Sequence, residues 1–231
     1  RLCDQRAEHI ISVIKAKVGD QLKIGIVDGD IGTATISAIG EPSARDRSSV
    51  TLIIDTLDKP PPPKLPLHLV VALPRPKSVN RIIRYCTECG VQSLHFINSY
   101  RVEKSYWTSP KLSADNLTQQ VRLGLTQCID TKPMQIHLHK RFKPFVEDQL
   151  PALIGRGRAR LLHPYAEQPF HPTREQSNSE QWLIIGPEGG FIDYEVDKLR
   201  STGATVDNIG QRIYRTETIV AMMLGHFTLK A

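Results

Sequence analysis

The sequence holds no apolar run near the roughly 18 residues that a membrane-spanning helix needs, and no secretory apolar core at its start. It has four cysteines in 231 residues, too few for a disulfide scaffold, so a reducing cytoplasmic setting is the expectation. It begins at Arg1 rather than Met, and a few native residues are expected to be absent. The phosphate loop G-x-x-x-x-G-K-[ST] and the fingerprint G-x-G-x-x-G are both missing, which argues against nucleoside triphosphate and dinucleotide ligands. Neither a Ser-His-Asp set nor a carboxylate pair on one helix face stands out. Cys86 and Cys89 form a C-x-x-C, but no second pair and no His-x-x-x-His completes a zinc site. Cys3 and Cys128 stand alone, and His137 and His139 share one face of a predicted strand. The C-x-x-C falls inside a predicted helix on the side of Ile82, so core packing is its reading and no metal is expected.

What is present begins with charge. The net charge of +6 is unevenly placed: residues 1–66 balance, and residues 67–231 carry the whole excess. Basic runs lie at Arg75, Lys77, Arg81 and Arg84, at Lys140, Arg141 and Lys143, and at Arg156, Arg158 and Arg160. Such a surface suits phosphate backbones and points to nucleic acid over a merely solvated face.

The patterning changes along the chain. A helical period runs to Lys17, with Gly19 as its stop. A period of two then predicts strands at 21–28, 31–39 and 50–57, with Asp28-Gly29 as a hairpin turn. This is a β-rich module the size of a compact barrel. Lys59 to Pro66 contains four consecutive prolines and reads as a stiff linker. Beyond it strands and helices alternate. Strands are predicted at 67–73, 91–98, 134–138, 159–163, 182–185 and 205–209. Helices are predicted at 76–88, 113–129, 142–154, 193–202 and 216–229, with a polar loop at 166–181. That order implies α/β architecture with a parallel sheet covered on both faces. The last helix is apolar nearly all round, which suggests a homodimer seam.

The chain is organised around Trp182 to Ile192, WLIIGPEGGFI. An apolar strand leads into a loop, Gly186-Pro187-Glu188-Gly189-Gly190, that cannot continue it, and Asp193 opens a helix. The loop is either a ligand cradle or a plain strand-to-helix turn. A second loop, Ile209 to Thr218, and a third, Leu162-His163-Pro164-Tyr165, also leave strand ends, and the three would converge if their strands are neighbours.

GPEGGF (186–191) followed by IGQRIYRTETIVAMML (209–224) resembles the signature of the 16S rRNA (uracil-N3)-methyltransferase family of the SPOUT superfamily. His9-Ile10, Val13 and Val18-Gly19-Asp20 resemble the start of that family's PUA-like RNA-binding barrel. Pro76-Lys77 and Cys89-Gly90-Val91 resemble its first β-α-β unit. The resemblance implies a PUA-like barrel at 1–58, a linker at 59–66 and a SPOUT methyltransferase domain with a deep trefoil knot at 67–231, working as a homodimer on 16S rRNA of the small ribosomal subunit. It implies S-adenosylmethionine held by Leu162 and His163, by Ile185 and the loop Gly186, Pro187, Glu188, Gly189 and Gly190, and by Ile209, Gly210, Ile213, Tyr214, Arg215 and Thr218. Arg215 would stabilise charge developing on the base, with Glu217 or Glu188 orienting it or accepting a proton. For Glu188 a loop-capping role stands equally open. Lys15, Arg75, Lys77 and Arg101 would hold phosphates. The family's N-terminal helix usually carries arginines where this chain has Ser12 and Lys15, and a lysine lacks the bidentate fork. An enzyme of this superfamily acting on another RNA, and an RNA-binding protein of the same fold without activity, are the alternatives.

Overall fold

The computed structural model describes residues 1–40, 48–170 and 179–229, in two compact units. The first takes Arg1–Pro62 and Ile129–Lys132; the second takes Pro63–Cys128 and Pro133–Ala231.

The first unit carries an antiparallel sheet of β1 (Gln21–Gly25), β2 (Ile31–Gly40) and β3 (Ser49–Lys59), in that order. Alternation along β2 buries Ala34 and Ile36 on one face, where Ile36 joins Val50 and the Ala7 and Ile10 side chains in a small core. The helix predicted to Lys17 is shorter. Asp4 caps α1 (Gln5–His9) by accepting from the Arg6 N–H at 3.0 Å. The ladder then loosens into a π-helical turn over Ile10–Ile14 and stops where Lys15 takes left-handed backbone, φ 56°. Four of those five residues are β-branched, and crowding against the preceding turn weakens the α ladder there. The hairpin is wider than a two-residue turn, because β1 ends at Gly25 and the Ile26 N–H donates to the Asp30 carbonyl at 3.1 Å. Ile129–Lys132 completes this end: the Asp28 N–H donates to the Thr131 carbonyl at 2.9 Å. Ile129, predicted as the last residue of a helix, instead has φ 57° and belongs to this segment.

At Gly32, where β2 and β3 shift register, an added Cβ would run into the Thr56 carbonyl and lie 2.9 Å from the Leu57 Cα. Backbone cannot yield as a side-chain tip does. Gly32→Ala is therefore expected to destabilise this unit by about 1–3 kcal/mol, read as a lower urea midpoint.

The second unit is an α/β layer structure around a seven-stranded sheet ordered β6-β5-β4-β9-β7-β10-β8, with every pairing parallel. The strands are β4 (Leu67–Ala72), β5 (Ser93–Ile97), β6 (Gln135–His139), β7 (Arg158–Leu162), β8 (Gln168–Pro169), β9 (Gln181–Ile185) and β10 (Thr205–Asn208). The central strands β5 and β9 are buried at every residue, as an apolar strand covered on both faces must be. Part of the polar loop predicted at 166–181 forms β8, because the Phe170 N–H finds the Asn208 carbonyl at 2.7 Å; residues 171–178 of it lie outside the described residues. The helices are α2 (Pro76–Glu88), α3 (Ala114–Cys128), α4 (Phe142–Pro144), α5 (Leu150–Ile154), α6 (Asp193–Arg200) and α7 (Thr216–Thr228). The single helix predicted over 142–154 is broken by a π-helical turn at Phe145–Gln149. Pro151 cannot donate to Glu147, and the Leu150 N–H bonds one residue further back, to the Phe145 carbonyl. Cys86 packs fully buried in α2 and Cys89 is half-buried; burial pushes both thiols up.

One face of the sheet carries a chain of polar side chains. Glu180 meets His68 at 2.6 Å, His68 meets Ser93 at 2.7 Å, Ser93 meets His95 at 3.0 Å and His95 meets His139 at 3.1 Å. His68 also stacks on Trp182, with ring centres 4.3 Å apart, and His95 on His137 at 4.5 Å. Burial, and then the neighbouring His137, His139 and His68, push the His95 ring down to about 3; burial and His137 push His139 to about 4.

Candidate methyl-donor and RNA site

The sheet order decides where a site can form. β9, β7 and β10 are consecutive neighbours and all parallel, so the loops after Ile185, Leu162 and Asn208 leave from the same edge. The His163 N–H donates to the Asp207 carbonyl at 2.9 Å, which ties the exit of β7 to the end of β10. Thr216, the first residue of α7, donates its hydroxyl to the Gly186 carbonyl at 3.2 Å. The two most distant loops are thereby held against each other.

Between them lies a cleft of about 540 Å³, counted with its open mouth. Leu162, His163, Gly186, Pro187, Glu188, Gly190, Ile209, Gly210, Ile213 and Tyr214 line it. Of the other residues predicted to hold a cofactor, Ile185 is buried within β9, and Gly189 faces Arg101. Arg215 and Thr218 are exposed at the start of α7. Pro164, Phe191, Arg212, Thr216 and Ile219 also line the cleft; all stand in stretches drawn out of the sequence, but none was named there as a cofactor contact. Thr216 carried a signal, as a hydroxyl one residue after a helix cap. Phe191 could have been found from the apolar position that directly follows a glycine loop.

The lining is mostly apolar side chains and loop backbone. The Gly190 N–H donates to the Pro187 carbonyl at 2.8 Å, closing a tight turn in which Gly190 has φ 74°, a conformation that a side chain resists. A Cβ on Gly186 would stand 3.1 Å from the Phe191 ring, so that position must stay bare for the loop to fold back. His163 is half-buried, and burial pushes its imidazole down, leaving it neutral at pH 7. Its Nδ1 accepts from the Tyr165 N–H at 3.4 Å. Beneath the rim, Arg160 pairs with Asp207 at 3.3 Å and lies 4.8 Å from the centre of the Phe170 ring.

The charged candidates separate by their surroundings. Glu188 is ion-paired with Arg75 at 2.9 Å. Arg101 donates to the Gly189 carbonyl. Both arginines were predicted as phosphate holders, yet their guanidinium groups reach the glycine loop. Lys77 lies exposed in the first turn of α2, and Lys15 lies exposed in the first unit. Arg215 makes no ion pair among the described residues, and its exposed side chain stands at the N-cap of α7. Two residues on, the Glu217 Oε2 is buried with no hydrogen-bond partner among the described residues. An exposed cation without an ion-pair partner among the described residues, next in sequence to the cleft-lining Tyr214 and Thr216, suits stabilisation of charge that develops during a reaction.

A family model described as RNA methyltransferase domain matches residues 61–227. Ribosomal RNA small subunit methyltransferase E of Treponema pallidum is 26% identical over 216 residues, covering 93% of this chain and 79% of that protein. The protein of the same name from Mycobacterium bovis is 24% identical over 228 residues, covering 94% and 81%. Among solved structures, ribosomal RNA small subunit methyltransferase E of Neisseria gonorrhoeae, bound to S-adenosyl methionine, has a TM-score of 0.74 at 15% identity and covers 99% of this chain and 90% of that one. A Legionella pneumophila protein solved with bound SAM has a TM-score of 0.73 at 20% identity, covering 97% and 89%.

Proposed function

Because the chain belongs to the RNA methyltransferase domain family, we propose that it uses S-adenosylmethionine to methylate N3 of a uridine in 16S ribosomal RNA of the small subunit. The observation that carries this reading is the meeting of three loops, from β7, β9 and β10, around one cleft. The names of the relatives and the S-adenosylmethionine bound in two structural neighbours support it.

The residues present fit that donor. A cleft walled mostly by apolar side chains and loop backbone suits the apolar faces of a folded nucleoside with a methionine tail. The donor supplies an electrophilic methyl group on a sulfonium. The remaining work falls to the chain. Gly186–Gly190 allow close backbone approach, and Thr216 fixes Gly186 against α7. Holding acceptor and methyl in line provides much of the rate. Uridine N3 is a poor nucleophile until its proton leaves. Arg215 stabilises the negative charge that then spreads to O2 and O4, and Glu217 orients Arg215 or accepts the proton. The ion pair with Arg75 supports a loop-holding role for Glu188.

In this reading residues 1–58 serve as a PUA-like RNA-binding barrel, 59–66 as a linker and 67–231 as a SPOUT domain. The position of β9 between β7 and the sequence-distant β4 supports a deep trefoil knot, a departure from the general absence of knots. α7, with Met222 exposed beside buried Val220, Met223 and Leu224, would form a homodimer seam. Lys15 and Lys77 hold rRNA phosphates in the cytoplasm, and the target base turns out of its stack to reach the cleft. The direct test is incubation with stripped small ribosomal subunits and methyl-labelled S-adenosylmethionine, followed by nucleoside analysis. Labelled 3-methyluridine is the expected product. Label on another nucleoside would reassign the substrate, and no label would remove the activity.

A further inference from the structure

The buried carboxylate of Glu195 has no role in the chemistry above. Glu195 is the third residue of α6 and is 3% exposed. Its Oε2 accepts from the Ile192 N–H at 3.2 Å, the ordinary reach of a third-position glutamate back to a helix cap. Ile192 has no polar side chain to return the bond, so only half of a capping box is made. A cap needs one oxygen, and such residues are ordinarily exposed. Here the other oxygen, Oε1, accepts the shorter bond, from the Tyr100 N–H at 2.7 Å, and the Ser99 hydroxyl lies 3.4 Å from Oε2. Ser99 and Tyr100 belong to the loop that follows β5, 95 residues away from Glu195 in sequence for Tyr100. The next residue of that loop, Arg101, donates to the Gly189 carbonyl and lies along the outer side of Gly189. One carboxylate thus grips the exit of the glycine loop at Ile192 and the loop that braces its middle at Gly189.

We propose that Glu195 is a positioning residue for the methyl-donor site: by clamping Tyr100 and Ile192 it sets Arg101 against Gly189 and holds the glycine loop in its donor-binding shape. This rests on the reading of the cleft as an S-adenosylmethionine site. A carboxylate accepting three donors loses its fit when one oxygen becomes an NH2 group, since an amide nitrogen facing an N–H repels it. Buried without a cation partner among the described residues, the Glu195 side chain is satisfied by these hydrogen bonds alone.

The test is calorimetric binding of S-adenosylmethionine and S-adenosylhomocysteine to the full chain and to Glu195→Gln, Arg101→Ala and the double variant. Each single change is expected to weaken binding by about tenfold, the loss typical of one charge-assisted hydrogen bond, with the double variant no weaker than the worse single one. Turnover at saturating donor is expected to stay within about threefold of wild type, so that the defect appears in KM rather than kcat. A helix-capping role alone would lower the melting temperature and leave donor affinity and the coupling to Arg101 unmoved. Unchanged affinity in a folded Glu195→Gln, or additive losses in the double variant, overturns the proposal. If Glu195→Gln does not fold, Arg101→Ala still decides, because Arg101 is exposed: unchanged affinity there overturns it as well. A wild-type protein that binds neither ligand overturns the donor-site reading itself.

Discussion

Replacing Arg215 with alanine is expected to slow methyl transfer by about 10²–10³-fold, the usual cost of removing one donor that stabilises developing charge. The expectation follows from where the residue stands. It caps α7 with extended backbone, its carbonyl already accepts from the Thr218 and Ile219 N–H groups, and its guanidinium has no ion-pair partner among the described residues. The side chain contributes nothing visible to packing, so the variant should unfold at the wild-type urea concentration. Glu217, two residues further along, has a buried, unsatisfied oxygen. An anion forming on the base would give the guanidinium a partner. Arg215→Lys keeps the charge but loses the planar fork, and an intermediate rate is expected. Single-turnover methylation of small subunits by wild type and both variants measures this, and a rate for Arg215→Ala within threefold of wild type would end the cationic role.

The second large effect concerns acid. The unfolded chain takes a proton on the His95 ring near 6.5, whereas the folded chain takes it only near 3. The folded value is the lowered one, so between those limits the unfolded state binds more protons and falling pH favours it. The stability that depends on a neutral His95 is fully present above about pH 6.5 and drains away as pH drops toward 3. The slope for one group is about 1.4 kcal/mol per pH unit, steep against a total of about 5–15 kcal/mol for a domain. His139 adds to it in the same direction, discounted because its ring is part-exposed. Urea midpoints at pH 7.5, 5.5 and 4.5 should fall accordingly, and His95→Gln should flatten the decline below pH 6. Parallel curves for the two proteins would show that the buried ring does not set the acid limit.

The sequence exposed the framework of the second unit because its periodicity and punctuation agree. Pro76 and Gly90 bracket α2, and the apolar run at Trp182–Ile185 before a glycine loop marks β9. The three loops stood out for the same reason, since each follows a short strand with residues that cannot extend it. Their convergence is a property of strand order, and strand order is not written in any window of sequence. The π-helical turns at Ile10–Ile14 and Phe145–Gln149 were hidden because a slip of one hydrogen bond leaves the apolar spacing almost unchanged. Ile129–Lys132 was hidden because its partners, Asp28 and Gly29, lie a hundred residues earlier. An acid at the third position of α6 suits a helix N-terminus, and that half of the role of Glu195 is legible in sequence; its bond to Tyr100 is not, because no local rule links the two positions. Arg75 and Arg101 illustrate the limit for charge. A count of basic residues sees phosphate binders, while geometry turns both toward a carboxylate and a carbonyl of the glycine loop.

The insertion of β9 between β4 and β7 carries a consequence for the order of events at synthesis. Until residues 181–185 have emerged, β4 and β7 each present an open row of N–H and C=O groups along one side, and the two pieces of sheet have nothing to join them. The centre of the sheet is thus the part made late. Pairings between residues some 110 apart must form before the cleft exists, and such non-local closure is slow. A newly made chain halted before Gln181 would carry two sticky edges and no donor site, so its final fifty residues act as the closing wedge of the whole domain.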